Sequence, residues 1–173
     1  MGQLNTRNCT IHFIDNEDGT FRAEAIAQTC ESDIQRLATL FRIPFDVDGL
    51  NRGGVRVYII SPPGGGASNT GWGGIYGPSD IDINGDYAPA KVDAQTPIVR
   101  AEFARLLFVA ELAEIMMDVT TSRWNSSASD GEGLSVALAT ELRPMGYYGA
   151  CPALRASTRG FSRGARTGFL APS

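Results

Sequence analysis

Residues 106–117, Leu-Leu-Phe-Val-Ala-Glu-Leu-Ala-Glu-Ile-Met-Met, form an apolar run whose only polar members are Glu111 and Glu114. By length and composition this run is a packed helix, and it constrains everything that must fold around it. Three residues apart, the two carboxylates project from one side of that helix. An ionised carboxylate without a partner in a core costs several kcal/mol or takes up a proton. A site, a partner cation or a solvent-filled cleft is therefore expected against that face.

The remaining composition is that of one domain. With 173 residues, 43% apolar and 20% charged, the chain can bury a sizeable core. No apolar stretch reaches the roughly 18 residues of a membrane span, and the first residues lack the basic-then-apolar layout of a secretory signal. The expectation is a soluble, cytoplasmic chain with no membrane partner. Cys9, Cys30 and Cys151 are an odd number without a C-x-x-C pair, so neither a disulfide framework nor a thiolate metal site is indicated.

Residues 1–141 hold all nineteen acids and ten of the basic residues, a balance of −9, while the remainder has five arginines and no acid. The body repels nucleic acid. The tail carries arginine but offers no aromatic stacking platform and no fold that would present it, so nucleic-acid binding is disfavoured there too. A domain over 1–150 followed by a basic, flexible tail over 151–173 is expected.

Thr10-Ile-His-Phe-Ile14 and Thr20-Phe-Arg-Ala-Glu-Ala25 flank the acidic, Gly-ended Asp15–Gly19 and read as an N-terminal hairpin. Residues 32–41 open with cap-type residues and place Ile34, Leu37, Leu40 and Phe41 at helical spacing before Pro44. Residues 54–60, Gly-Val-Arg-Val-Tyr-Ile-Ile, are β-branched and apolar, a strand halted by Pro62-Pro63. The glycine-rich segment 64–79 is a loop or irregular edge strand, with Trp72 and Tyr76 as packing or ligand-facing aromatics; it lacks the Lys-Ser/Thr ending of a P-loop.

Asp80-Ile-Asp-Ile-Asn-Gly-Asp86 matches the first half of a calcium loop through Asp80, Asp82 and Asn84, but Lys91 stands where the closing acid belongs. An alternating strand with Ile81 and Ile83 inward, turning at Asn84-Gly85, accounts for every residue and is preferred. The long helix begins at Pro97 and runs to about Thr121, with Glu102 and Arg105 facing water opposite Glu111. A second helix over 131–142 turns Leu134, Ala137, Leu138 and Leu142 to the core and has Glu132 in its first turn. His12, the sole histidine, forms no triad and is read as a surface or packing residue.

The order of strand, glycine-rich edge, long helix with a glutamate pair, and second helix resembles the catalytic half of the zincin metallopeptidases, most closely the gluzincins, over about residues 54–142. Their H-E-x-x-H reads here Ala110-Glu-Leu-Ala-Glu114, and their N-E-G-[FL]-[AS] reads Gly131-Glu-Gly-Leu-Ser135. Seventeen residues separate Glu114 from Glu132. The resemblance implies a general-base position for Glu111 and metal-ligand positions for Glu114 and Glu132. Ala110 offers no lone pair where the family has its first histidine.

An all-oxygen site prefers hard cations, calcium, magnesium or manganese, so zinc is disfavoured and no cofactor is required. The glutamates also admit a role without metal, bonded to backbone N–H groups or to Arg100, Arg123 or Arg143. The expected fold class is α+β and zincin-like: a small twisted sheet with a glycine-rich edge, packed on the long helix and a second helix. The expected function is a non-catalytic binding or assembly module for a polypeptide or for another copy of itself. The alternative is a hydrolase using Glu111 as base, with a hard cation on Glu114 and Glu132.

Overall fold

The computed structural model describes residues 1–43, 54–60, 67–69, 79–84, 97–119 and 129–143. In chain order these form β1 (Gly2–Asn5), β2 (Cys9–Phe13), α1 (Glu17–Ala27), α2 (Cys30–Phe41), β3 (Val55–Ile60), β4 (Ala67–Asn69), β5 (Ser79–Asn84), α3 (Pro97–Val119) and α4 (Ser129–Leu142). The class is α+β, as expected, with a mixed sheet ordered β1-β2-β3-β5-β4. β2, β3 and β5 run parallel in the middle, and β1 and β4 are antiparallel edges.

Alternation along the central strands decides which face is packed. Cys9, Ile11 and Phe13, then Val55, Val57 and Ile59, then Ile81 and Ile83 are all buried. Their neighbours Thr10, His12, Arg56, Tyr58 and Asp82 are half-exposed on the other face. There His12 stacks on Tyr58, its register partner across β2 and β3, with ring centroids 5.0 Å apart. Residues 79–84 are extended throughout, with Asp80, Asp82 and Asn84 at alternate positions along the strand. The proposed turn at Asn84-Gly85 lies outside the described residues.

The hairpin expected from Thr10–Ile14 and Thr20–Ala25 is replaced by a different pairing. β2 pairs with β1 on one side and β3 on the other, while residues 17–27 are helical. Asn16 is an N-cap: its Oδ1 accepts from the Gly19 backbone N–H at 2.7 Å, and Glu17 and Asp18 occupy the first turn. Gly19, Arg22, Ala23 and Ile26 then bury one helical stripe. The acidic stretch is thus a helix start, not a hairpin turn. A Cβ on Gly19 would lie 2.2 Å from the Ile14 carbonyl oxygen, so no side chain fits at that approach.

α2 follows almost at once and ends at Arg42, whose φ of 55° is left-handed; the Ile43 N–H returns to the Ala38 carbonyl at 2.9 Å. The chain enters β3 through Gly54, φ 64°, beside the Asn8 carbonyl that accepts from the Val55 N–H at 2.8 Å. A Cβ there would stand 2.5 Å from that same oxygen.

α3 is buried nearly all round. It packs on β4, β5, α1, α2 and α4, with Phe108, Leu112, Ile115, Met116 and Met117 fully enclosed. Each such side chain contributes about 1.5–3 kcal/mol of transfer free energy. Arg105 and Glu102, expected to face water, are half-buried and held in place by partners. Arg105 Nε donates to the Ala25 carbonyl at 2.7 Å, its guanidinium also donates to Gln28 Oε1 at 2.7 Å, and Glu102 pairs with it. An arginine on a last-turn carbonyl of α1 satisfies a group the helix itself leaves open.

The buried stripe of α4 is Gly131, Ser135 and Ala139, with Leu134, Leu138 and Leu142 half-buried beside it and Ala137 exposed. The expected core face is therefore rotated. Arg143, just past α4, donates to Asp33 Oδ1 of α2, a carboxylate that is 0% exposed. Among the described residues, no helix is long and apolar enough to cross a membrane.

Candidate functional site

The midpoint of α3 faces edge strand β4 on one side and α4 on another, and this places Glu111 and Glu114 between them. Glu111 is 8% exposed, and Glu114, a turn further on, is half-buried. From β4, Asn69 Nδ2 donates to Glu111 Oε2 at 2.8 Å and to Glu114 Oε2 at 3.1 Å. One amide therefore holds both acids. From α4, the buried Ser135 hydroxyl lies 2.8 Å from Glu114 Oε1 and 2.9 Å from the backbone oxygen of Glu132. Its one hydrogen serves two acceptors.

Neither carboxylate is paired with a cation among the described residues. Arg143 is committed to Asp33; Arg123 and the side chain of Arg100 lie outside the described residues. Burial pushes Glu111 up to about 7, against the opposing pull of the Asn69 hydrogen bond, and the charges of Glu114 and Glu132 raise it further. Glu114 is raised in the same way, by burial first, with Ser135 and Asn69 opposing and Glu132 and Asp118 adding repulsion. Near neutral pH Glu111 is therefore partly protonated, and the pair carries less than its full two charges.

Glu132 is exposed in the first turn of α4 and acts on the pair through its charge. The carboxylates of Glu111, Glu114 and Glu132 do not form a group with every ligand atom within 4.8 Å of the others. Among the described residues the group that does is Cys9, Cys30 and Glu31. This departs from the sequence expectation of no thiolate metal site, because twenty intervening residues of α1 and its flanks bring the two cysteines back together.

Around that second cluster, Glu31 Oε1 accepts from Thr6 Oγ1 at 2.6 Å and from the Asn8 N–H at 2.7 Å, and Oε2 accepts from Asn8 Nδ2 at 2.6 Å. These donors hold Glu31 below its usual range despite burial, which opposes them. The hydrogen bond from Cys30, then burial, raises the Cys9 thiol, and the reciprocal bond lowers Cys30.

Other residues singled out in the sequence do not join either cluster. Trp72 and Tyr76 lie outside the described residues, as do Cys151 and the 151–173 tail. The side chains of Asp80 and Asn84 are likewise outside them, and Asp82 is half-buried on β5. A surface hollow of about 160 Å³ between α1 and α3, lined by Phe21, Gln28, Ala101 and Arg105 among others, contains none of the three glutamates. Asn69 and Ser135 were not visible as site residues in the sequence. Ser135 sits three residues after Glu132 and had a signal in the Gly-Glu-Gly-Leu-Ser motif; Asn69, within the glycine-rich segment, had none.

No protein-family model, no curated protein and no solved structure matches this chain.

Proposed function

We propose that this chain is a zincin-like binding module without the zinc-ligating histidines, in which β4 and the acid pair of α3 hold an extended polypeptide through a lysine or arginine side chain. The observation that carries the reading is the Asn69 amide donating to both Glu111 and Glu114, which ties an edge strand to two desolvated carboxyls that have no cation partner among the described residues. β4 pairs with β5 on one side, and among the described residues no strand pairs with its other side. An outermost strand suits an added one, and a guest cation relieves the acids beside it.

Returning Glu111 from about 7 to its ordinary 4.5 on binding is worth about 3 kcal/mol at most. A micromolar complex needs roughly 8 kcal/mol, so main-chain pairing along β4 supplies most of the remainder. Matched short peptides carrying lysine or norleucine at one position, titrated by fluorescence anisotropy, test this. Preference for lysine by about tenfold, abolished in the Glu111→Gln/Glu114→Gln double variant, is expected. Equal binding of the two peptides overturns it.

Association between copies through α4 is a second partner for the module, supported by Val136, 41% exposed beside half-buried Leu134 and Leu138. Sedimentation velocity reads it directly, and a monodisperse monomer at all concentrations removes it.

The competing reading is a hydrolase with Glu111 as general base and a calcium, magnesium or manganese ion on Glu114 and Glu132. A carboxyl titrating near 7 favours it; the spread of the three carboxylates favours the binding module. Peptidase activity that depends on one of these ions and disappears in Glu111→Gln would establish the hydrolase instead.

A further inference from the structure

We infer that Cys9, Cys30 and Glu31 form a binding site for a thiophilic divalent cation of the zinc or cadmium type. The two sulfurs and a Glu31 carboxylate oxygen all lie within 4.8 Å of one another. Tetrahedral ligands at about 2.0–2.3 Å from zinc stand roughly 3.3–3.8 Å apart, so small side-chain movements close the set.

The ligands come from two parts of a fixed frame. Cys9 opens β2, Cys30 is the first residue of α2, and Glu31 follows it in the same first turn. The turn between β1 and β2 locks the carboxylate: Thr6 and Asn8 donate three hydrogen bonds to it. A carboxylate has about four lone-pair positions, so one on Oε2 is left for a metal. Donors of this kind orient a ligand from behind and strengthen metal affinity. Thr6 Oγ1, 3.4 Å from Cys30 Sγ, lies against the same cluster.

The chemistry of the set selects the ion. Two sulfurs exclude magnesium and calcium, and a thiolate-rich site with one oxygen suits zinc or cadmium. Binding exchanges the two thiol protons for one dication, Zn²⁺ + 2 RSH + RCOO⁻ → [Zn(SR)₂(OOCR)]⁻ + 2 H⁺, so the local charge is the same before and after. The thiols are 2% and 0% exposed, which closes them to bulky oxidants, while half-exposed Glu31 gives a small ion its approach. Three protein ligands leave the fourth position to water.

The test uses the whole chain, reduced and stripped of metal, titrated with Cd²⁺ while thiolate-to-metal charge-transfer absorption is followed in the ultraviolet. Saturation at one ion per chain is expected, unchanged in Cys151→Ser and lost in Cys30→Ser, with affinity lowered at least about tenfold in Glu31→Gln. Because Cys30 is buried and its variant could misfold, alkylation of the unaltered chain in enough urea to open it transiently and make both buried thiols react provides a second reading: saturating Cd²⁺ should protect Cys9 and Cys30, located by mass spectrometry, and leave Cys151 reactive. Absorption that requires Cys151, or alkylation of Cys9 and Cys30 indifferent to Cd²⁺, overturns the site.

Discussion

Asn69, on the edge strand, donates to Glu111 of α3 across 2.8 Å, a hydrogen bond that opposes the burial of that carboxyl. Among the described residues Glu111 has no other donor. Asn69→Leu should raise the Glu111 pKa further and cost about 1–3 kcal/mol at a pH where Glu111 is ionised, the penalty of an unsatisfied buried acceptor. Urea unfolding at pH 8 and at pH 5 checks this, with the larger loss at pH 8. Equal losses at both values would mean that Asn69 acts through packing alone.

The raised carboxyl makes stability depend on pH in a particular direction. Between 4.5 and about 7 the folded chain keeps a proton on Glu111 that the unfolded chain releases. Stability therefore falls as the pH rises through that window, by up to about 3 kcal/mol from this group. Glu114 is shifted in the same direction. Glu111→Gln, which keeps the shape and loses the charge, should flatten the curve and leave the protein more stable than the parent at pH 8. Denaturant melts across pH 5–8 decide it, and a parent that gains stability toward pH 8 contradicts the assignment.

Arg143 and Asp33 predict a different kind of loss. Asp33 is 0% exposed, and among the described residues Arg143 is its only ion-pair partner and nothing hydrogen-bonds its other oxygen. Arg143→Met leaves a buried charge behind and should cost about 3–5 kcal/mol, whereas the double change Asp33→Leu/Arg143→Met should recover most of it. Chemical denaturation of the three variants measures the coupling. Additive losses would show that the pair is not energetically linked.

Ser135 gives the smallest expected effect. Its hydroxyl is shared between half-buried Glu114 and the Glu132 carbonyl, so Ser135→Ala should cost about 1 kcal/mol and raise the Glu114 pKa. A double-mutant cycle with Glu114→Gln should return coupling of similar size. No coupling would place the serine's hydrogen permanently on the backbone oxygen.

The elements that sequence reading recovered are those with strong periodicity: α2, β3, β5, α3 and α4 were legible because apolar residues recur at 3.6 or 2 residues. The first helix was not. Asn16-Glu-Asp-Gly19 serves equally as a turn or as an N-cap with an acidic first turn, and only the burial of Gly19, Ala23 and Ile26 against the sheet resolves it. Arg105 was misplaced because a charged residue on a helix reads as solvated, and the Ala25 carbonyl it caps belongs to a helix eighty residues away. Glu111 and Glu114 stood out because charge inside an apolar run is costly. Their partners did not, since Asn69 reaches them through tertiary folding alone. The cysteine cluster was hidden for the same reason: Cys9 and Cys30 meet only after β2 and α2 have packed.

The most direct test of the account is a carboxyl ¹³C NMR titration of Glu111 in the free protein and in the lysine-peptide complex. The account predicts a midpoint of about 7 in the free chain and a fall toward 4.5 when the peptide's ammonium arrives. A midpoint near 4.5 in the free protein would mean that Glu111 is solvated or already paired, and would contradict both the buried acid pair and the cation-binding cleft built on it.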